Sequence, residues 1–449
     1  MMMGLLHSKL MAHFGRNLLW VLPGLSFKRW IGGGVIGVIV LLLGVGLLLN
    51  LQPFTWLIRS IEYWGKLIPN PLSGLICLLL GLSMVIPSYR KLRHLFFEGT
   101  QTEGRAFIEA LYRQKTLSQG PKIVAIGGGT GLSTLLRGLK HYTSNLTAVV
   151  TVGDDGGSSG VLRAEHGIIP PGDIRNCIAA LADEEQLITE LFQYRFNMGD
   201  GLSGHSFGNL FLTALCHIKQ GDMLQAIRES CKVLNVRGKV LPATLEQLKL
   251  VATFTDGSQV IGESQIPEAK KPIQTLALSP QAPKGLEEAV LAIAQADLII
   301  LGPGSLFTSV LPNLLIPDIA HAFIASDAKK VYACNIVTQP GETDHLDAWG
   351  HVAVLANHLS EAHPTFKTHG WIDAIVTHPT LSQEALPEKY TQAGATPVAL
   401  DVKRFQQHGI ACKIAHLMPE STGALTHIRH DSRKLAEAIL SWYERATAL

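Results

Sequence analysis

The chain has 449 residues, with 38 basic against 36 acidic side chains. That near balance, with no basic stripe interleaved with aromatics, excludes a nucleic-acid surface, and the length allows two or three domains. The six cysteines (Cys77, Cys177, Cys216, Cys231, Cys334, Cys412) form no CxxC pair, which excludes a disulfide framework and a zinc site and fits reduced thiols in a cytosolic compartment.

The first 95 residues read as a membrane hairpin. Residues 30–58 and 67–89 carry no charged side chain except at the connecting loop, and their apolar hearts are 31–49 and 72–86. A bilayer core takes about 20 apolar residues per helix, so spans are expected at about 31–51 and 69–88. The second is shorter and flanked by proline. The long leading region without a small-residue cleavage site argues against a signal peptide. Lys9, Arg16, Lys28 and Arg29 precede the first span, and Arg90, Lys91 and Arg93 follow the second. Positive charge at both outer ends predicts a multi-pass protein of the cytoplasmic membrane with both termini and the main domain in the cytoplasm. Trp56, Tyr63 and Trp64 suit the far interface. Neither span holds a charge, so no transport path is suggested.

Residues 96–120 read as a linker. Charges alternate with apolar residues over 98–114, as in an amphipathic helix, and Ser118, Gln119, Gly120 and Pro121 form a hinge signal. An α/β domain over 121–449 follows. Residues 122–126 are a buried-strand pattern that breaks into Gly127-Gly128-Gly129-Thr130-Gly131, and Leu132, Leu135, Leu136 and Leu139 then mark one face of a helix. A strand, a glycine turn and a helix start make an anion site, because free N–H groups and the helix dipole meet where glycine admits a phosphate. The pattern is neither a dinucleotide GxGxxG, since Leu132 and Thr134 stand where the third glycine would be, nor a P-loop. A second strand at 148–152 runs into Gly153-Asp154-Asp155-Gly156-Gly157-Ser158-Ser159-Gly160.

Asp173 stands where an N-cap would, ahead of a helix over 174–181. Arg175 and Asn176 fall in its first turn, where a cation opposes the helix dipole. Arg175 is therefore either a phosphate holder or an exposed arginine. His205, Ser206 and Asn209 lie at the mouth of a helix over 210–218 and suit a polar ligand. No Ser-His-Asp arrangement is evident. Asp256-Gly257 between two alternating runs predicts a hairpin, an antiparallel insertion. A helix over 286–296 and a strand over 297–301 lead to Gly302-Pro303-Gly304-Ser305, a second glycine-to-helix junction. The following helix, 310–315, is expected to be cut by Pro312 and stopped by Pro317. A strand at 330–335 opens into a polar loop ending at Asp344. A helix over 347–359, strands at 372–377 and 410–415, and an amphipathic helix over 432–445 complete the domain. The alternation predicts a Rossmann-like, doubly wound, mostly parallel sheet.

The stretches GGGTGLSTLLRGLK, VTVGDDGGSSGVLR, PPGDIRNCIAAL, GHSFGNLFLTAL, FTDGSQVIGES, GPGSLFTSVLPNLL, NIVTQPGETD and RHDSRKLA occur in that order. Together they resemble the 2-phospho-L-lactate transferase superfamily, and more closely its bacterial branch of gluconeogenesis or morphogenesis factors. The resemblance covers about 122–449; the membrane hairpin departs from it. It implies a core that binds a nucleotide-linked ligand. Superfamily transferases move a phospholactate group from a guanosine nucleotide to a deazaflavin precursor with a divalent metal. The bacterial branch resembles binders of UDP-sugars such as UDP-N-acetylglucosamine, tied to cell shape, envelope synthesis and carbon use. It weighs toward a ligand-binding regulator on a transferase-like fold.

On this chain the resemblance implies that Gly127, Gly128, Gly129, Thr130, Gly131 and Ser133 wrap phosphate or ribose. Asp154 and Asp155 would accept hydroxyls or hold Mg²⁺, a hard ion that prefers oxygen, or else only shape the glycine turn. Asp173, Asn176, His205, Ser206 and Asn209 would face the ligand. Gly304, Ser305, Thr308 and Ser309 would take a second phosphate, and Asn335, Gln339, Thr343 and Asp344 would close the site. Asp154, Asp155 and Arg175 are the catalytic candidates if a reaction occurs. Envelope-synthesis proteins and a second copy of the chain are expected partners. A nicotinamide oxidoreductase, with Asp154 on a ribose, is disfavoured by the missing third glycine and by the second glycine junction.

Overall fold

The computed structural model describes residues 115–448, apart from 184, 200, 364–365 and 421–426, together with scattered helical positions between 55 and 83. The first expected span, the amphipathic segment 98–114, and the second span apart from positions 75, 76, 79 and 83 lie outside the described residues. Among the described residues no single helix is long and apolar enough to cross a membrane. The chain divides into two compact units, Met1–Phe107 and Ile108–Leu449.

The second unit is built on seven parallel strands. These are β1 (Ile123–Gly127), β2 (Leu146–Val150), β3 (Lys239–Pro242), β7 (Leu298–Leu301), β8 (Lys329–Ala333), β9 (Ala374–Thr377) and β10 (Ala411–Ile414), in the order β10-β9-β8-β7-β1-β2-β3. The runs IVAIG, LTAVV, LIIL and AIVT are buried at every position. Helices cover both faces of such a sheet, so its strands are continuously apolar rather than alternating. β1, β2 and β3 step one way and β7 to β10 the other. The order therefore reverses between β1 and β7, where Ile126 pairs with Leu301. In open parallel sheets the crevice beyond the carboxyl ends at that reversal is where ligands bind. Both glycine junctions of the sequence open there.

The Asp256-Gly257 turn joins β4 (Lys249–Phe254) to β5 (Gln259–Ile261) as expected, with Gly257 at φ +81°. A third strand, β6 (Ile273–Ser279), completes an antiparallel sheet in the order β5-β4-β6.

The first five helices carry the site. α1 (Gly129–Leu139) buries Leu132, Leu135, Leu136 and Leu139 completely. α2 (Gly157–His166), α3 (Gly172–Leu181), α4 (Glu185–Gln193) and α5 (Phe207–Ile218) follow.

Three local expectations need correction. Asp173 is not an N-cap: α3 begins after Pro171, whose carbonyl takes the Arg175 N–H at 2.8 Å, so Asp173 lies inside the first turn. Pro312 does not cut its helix. A π turn (Leu306–Val310) runs into Leu311–Leu314 with Pro312 in the first positions, where a missing N–H costs nothing, and Pro317 opens the next helix, Pro317–Ala325. Residues 118–121 are not a free hinge. Leu117 is buried, Asn145 Nδ2 donates to the carbonyls of Ser118 (2.9 Å) and Gly120 (2.8 Å), and Thr143 Oγ1 donates to that of Pro121 at 2.9 Å.

Candidate functional site

β2 delivers the double-aspartate loop, and its two carboxylates do different things. Asp155 accepts the N–H groups of Ser264 (2.9 Å) and Glu263 (3.1 Å), clipping the segment after β5 to the loop. Asp154 Oδ1 accepts the Gly156 N–H at 2.9 Å, while Oδ2 faces Gly172, within 3.0 Å of where a Cβ there would stand. The buried Arg163 holds the loop backbone, donating to the carbonyls of Asp154 (3.4 Å) and Leu248.

Three helix starts then meet in one hydrogen-bonded group. Ser206 caps α5, accepting the Asn209 N–H. Asn209 Nδ2 donates to Ser158 Oγ (3.1 Å) and Ser159 Oγ (3.4 Å), and Asn209 Oδ1 accepts from Arg175 Nη1 at 3.1 Å. Ser158 Oγ lies 3.0 Å from His205 Nδ1. Ser158 Oγ, already accepting from Asn209, can still either donate to Nδ1 or accept from it, because a hydroxyl has two acceptor lone pairs. Arg175 Nη1 also donates to Ser206 Oγ at 2.5 Å, and Nη2 donates to Asn176 Oδ1 at 2.9 Å. These groups border a cavity of about 260 Å³ at the carboxyl edge, lined by Asp154, Asp173, Arg175, Asn176, Arg195 and Asn209 with Ser158, Ser159 and glycine backbone.

The glycine loop beside that cavity already holds a carboxyl group of the chain itself. The Asp173 carboxylate accepts the Gly129 N–H, and its Oδ2 lies 2.5 Å from where a Cβ on Gly128 would stand. Burial, then the charge of Asp154, pushes the Asp173 carboxyl up to about 7, against the pull of the Gly129 N–H and Arg175. Glu263 is pushed up to about 9 by burial and by Asp154, Asp173, Asp155 and Glu342.

The β7 junction is likewise filled from within. The Gly302 N–H donates to the Ile126 carbonyl at 2.9 Å, and a Cβ on Gly131 would stand 2.4 Å from the Pro303 oxygen, so the two junctions abut. Ser305 Oγ donates to Glu342, whose carboxylate also takes the Thr308 hydroxyl and the N–H groups of Phe307 and Thr308. Burial raises that carboxyl against those donors. Asn335 Nδ2 donates to the Gly304 carbonyl (2.9 Å) and to Gln339 Oε1 (3.3 Å), Thr343 Oγ1 accepts the Gln339 N–H, and Asp344 accepts the Gly341 N–H.

The structure therefore brings Asp154, Asp173, Arg175, Asn176, His205, Ser206 and Asn209 into one cluster. Asp155 braces the insertion. Asn335, Gln339, Thr343 and Asp344 hold their own loop, and Ser305 and Thr308 bind Glu342. Ser133 is buried and donates to the Thr130 carbonyl at 3.0 Å, and Ser309 is buried beside Gly128. Ser158, Ser159, Arg195, Glu263 and Glu342 were not singled out from the sequence. The two serines had a signal, hydroxyls at a glycine-led helix start; Arg195 had none.

Among the described residues no three His, Cys, Asp or Glu side chains are placed to hold a metal by themselves. Asp154 and Asp155 each accept backbone N–H groups, of Gly156 and of Glu263 and Ser264 respectively. The excess negative charge that raises Asp173 and Glu263 nevertheless fits a hard cation whose remaining ligands come from a bound phosphate.

The family model described as 2-phospho-L-lactate transferase CofD matches residues 123–418. A Bacillus subtilis protein named "Gluconeogenesis factor" is 47% identical over 324 residues, covering 72% of this chain and 98% of the relative. A Nostoc protein named "Putative gluconeogenesis factor" is 45% identical over 432 residues, covering 94% of this chain and 92% of the relative. A crystal structure from Bacillus halodurans, 46% identical with a TM-score of 0.66, covers 72% of this chain and all of that one. The chain belongs to the 2-phospho-L-lactate transferase CofD family, among the relatives named gluconeogenesis factors.

Proposed function

We propose that the Ile108–Leu449 unit binds a UDP-sugar such as UDP-N-acetylglucosamine and acts as a ligand-controlled regulator of cell shape, envelope synthesis and carbon use. The observation that carries this is the lining of the 260 Å³ cavity at the strand-order reversal, which combines two guanidiniums, two carboxyl groups, serine hydroxyls and side-chain amides. That lining matches a ligand with both phosphate and sugar hydroxyls. Calorimetric titration of a fragment beginning at Ile108 tests the reading, because Ile108–Leu449 is one compact unit and the Bacillus halodurans protein, a crystallised chain, corresponds to 72% of this one. Leu117 is buried, so the fragment must begin upstream of it. UDP-N-acetylglucosamine and UDP-glucose should bind better than GTP, GDP or NAD; indifference to UDP-sugars at millimolar concentration would sink the reading.

The mutually repelling carboxylates favour a second reading, a Mg²⁺-dependent transferase that moves a phospho-linked group from a guanosine nucleotide to a deazaflavin-type acceptor. Asp154 and Asp173 would hold the ion, which would neutralise charge on phosphate oxygens. Arg175 would orient the phosphate. Turnover with that donor and acceptor in Mg²⁺ would move the assignment to this reaction.

For the first unit we keep the membrane hairpin. The large apolar side chains of Leu75, Ile76 and Leu79, in the second expected span, are exposed at helical positions, which supports it. Carbonate extraction of membranes should leave the full chain in the pellet; release into the supernatant would refute an integral anchor.

A further inference from the structure

We infer that the ligand's phosphate is clamped between Arg175 and Arg195, and not seated on either glycine junction. The inference rests on the proposed nucleotide-sugar reading for the rest of the ligand, but the clamp itself requires only a diphosphate or phosphate monoester.

Glycine-to-helix geometry alone would put one phosphate after β1 and another after β7. Both places hold carboxylates of the chain itself. Asp173 takes the Gly129 N–H, and its oxygen fills the space above Gly128. Glu342 takes the hydroxyls of Ser305 and Thr308 and two backbone N–H groups at the start of Leu306–Val310. A phosphate entering either junction would have to displace a carboxyl group of the chain that already occupies those donors.

The cavity offers the opposite charge. Arg175 spends its recorded hydrogen bonds on neutral groups, Ser206, Asn176 and Asn209. Arg195 donates to the Gly204 carbonyl at 2.7 Å. Among the described residues neither guanidinium has a carboxylate within ion-pair distance. Both nonetheless line the same cavity, where burial and then Arg195 disfavour the charged form of Arg175 against the attraction of Asp173 and Asp154. Two adjacent guanidiniums, neither in an ion pair, suit a doubly charged oxyanion, which guanidiniums recognise through paired N–H donors.

Arg195 is held in place for this. A short hairpin carries it: Arg195 bridges Ser206, the Phe196 N–H donates to the His205 carbonyl at 3.1 Å, and the Phe207 N–H donates to the Tyr194 carbonyl at 2.9 Å. The same turn that presents Arg195 therefore sets Ser206, the acceptor of Arg175. Asp154 and Asp173 line the same cavity and offer acceptors for sugar or ribose hydroxyls, or for a cation. On this proposal the phosphate goes to the arginines and the hydroxyls to the carboxyl groups.

The test is calorimetry on the Ile108 fragment with inorganic pyrophosphate and, separately, UDP-N-acetylglucosamine. Arg195→Gln should weaken pyrophosphate about ten- to hundredfold and flatten its salt dependence. Arg195→Lys should fall between, and Ser305→Ala should change affinity less than about twofold. Arg195 is exposed, so a thermal melt should show the variants folded. Wild-type affinity in Arg195→Gln, a large loss in Ser305→Ala, or no binding of pyrophosphate by the wild type would each overturn the clamp. Arginine-dependent pyrophosphate binding without UDP-sugar binding would keep the clamp and dismiss the UDP-sugar reading.

Discussion

Replacing Asp173 with asparagine should make the folded unit more stable above neutral pH. The Asp173 carboxyl is raised from 3.8 to about 7, first by burial and then by Asp154. Between those two values the native state holds a proton that the unfolded chain has lost, so stability falls as pH rises through the window and the loss is complete above the folded value. A displacement of roughly 3 units at about 1.4 kcal/mol each gives about 4 kcal/mol. Asparagine stays neutral throughout and keeps an oxygen for the Gly129 N–H. Near pH 4 the two proteins should therefore have similar stability, and near pH 8 the variant should lead by up to about 4 kcal/mol. Urea unfolding of the Ile108 fragment across that range measures it directly. A cation on Asp154 and Asp173 would pull the carboxyl back down, so Mg²⁺ with a phosphate ligand should flatten the wild-type pH slope and leave that of Asp173→Asn unchanged. Parallel stability–pH curves for the two proteins would refute the burial-and-repulsion account.

Glu263→Gln should already raise the urea midpoint at pH 7, because the carboxyl is raised from 4.5 to about 9 and the wild type loses stability progressively between those values while glutamine does not; the variant's lead should be small near pH 4 and complete above about pH 9, and an unchanged midpoint at pH 7 would refute the account. Gly131→Ala should destabilise by about 1–3 kcal/mol or more, because its Cβ would stand 2.4 Å from the Pro303 oxygen and 2.8 Å from the Gly304 Cα, and backbone cannot rotate away. Denaturant midpoints check it. Asp155→Ala removes the acceptor of two N–H groups and should cost about 1–3 kcal/mol. Hydrogen exchange should speed up at Glu263 and Ser264, while an unchanged rate would show that the clip is dispensable.

How much of this was legible depended on the range over which each signal acts. The central strands announce themselves because burial on both faces leaves only apolar residues, as in LIIL and AIVT. β3 was missed because its four residues, KVLP, include a lysine and a proline acceptable only at a sheet edge, where it lies. The prolines at 312 and 317 misled because a proline reads as a stop from one side and a start from the other, and only the flanking helix decides which. The site shows the same division. Both glycine junctions were visible as sites that bind an anion, since that property belongs to the local backbone. The identity of the anion was not visible, because Glu342 reaches Ser305 across 37 residues and Asp173 comes to the first loop from another helix. A helix start is stabilised by any nearby negative charge, including one supplied by the same chain. Where the chain supplies it, the ligand's phosphate is proposed instead for Arg175 and the locally unsignalled Arg195, which line the cavity without an ion pair among the described residues.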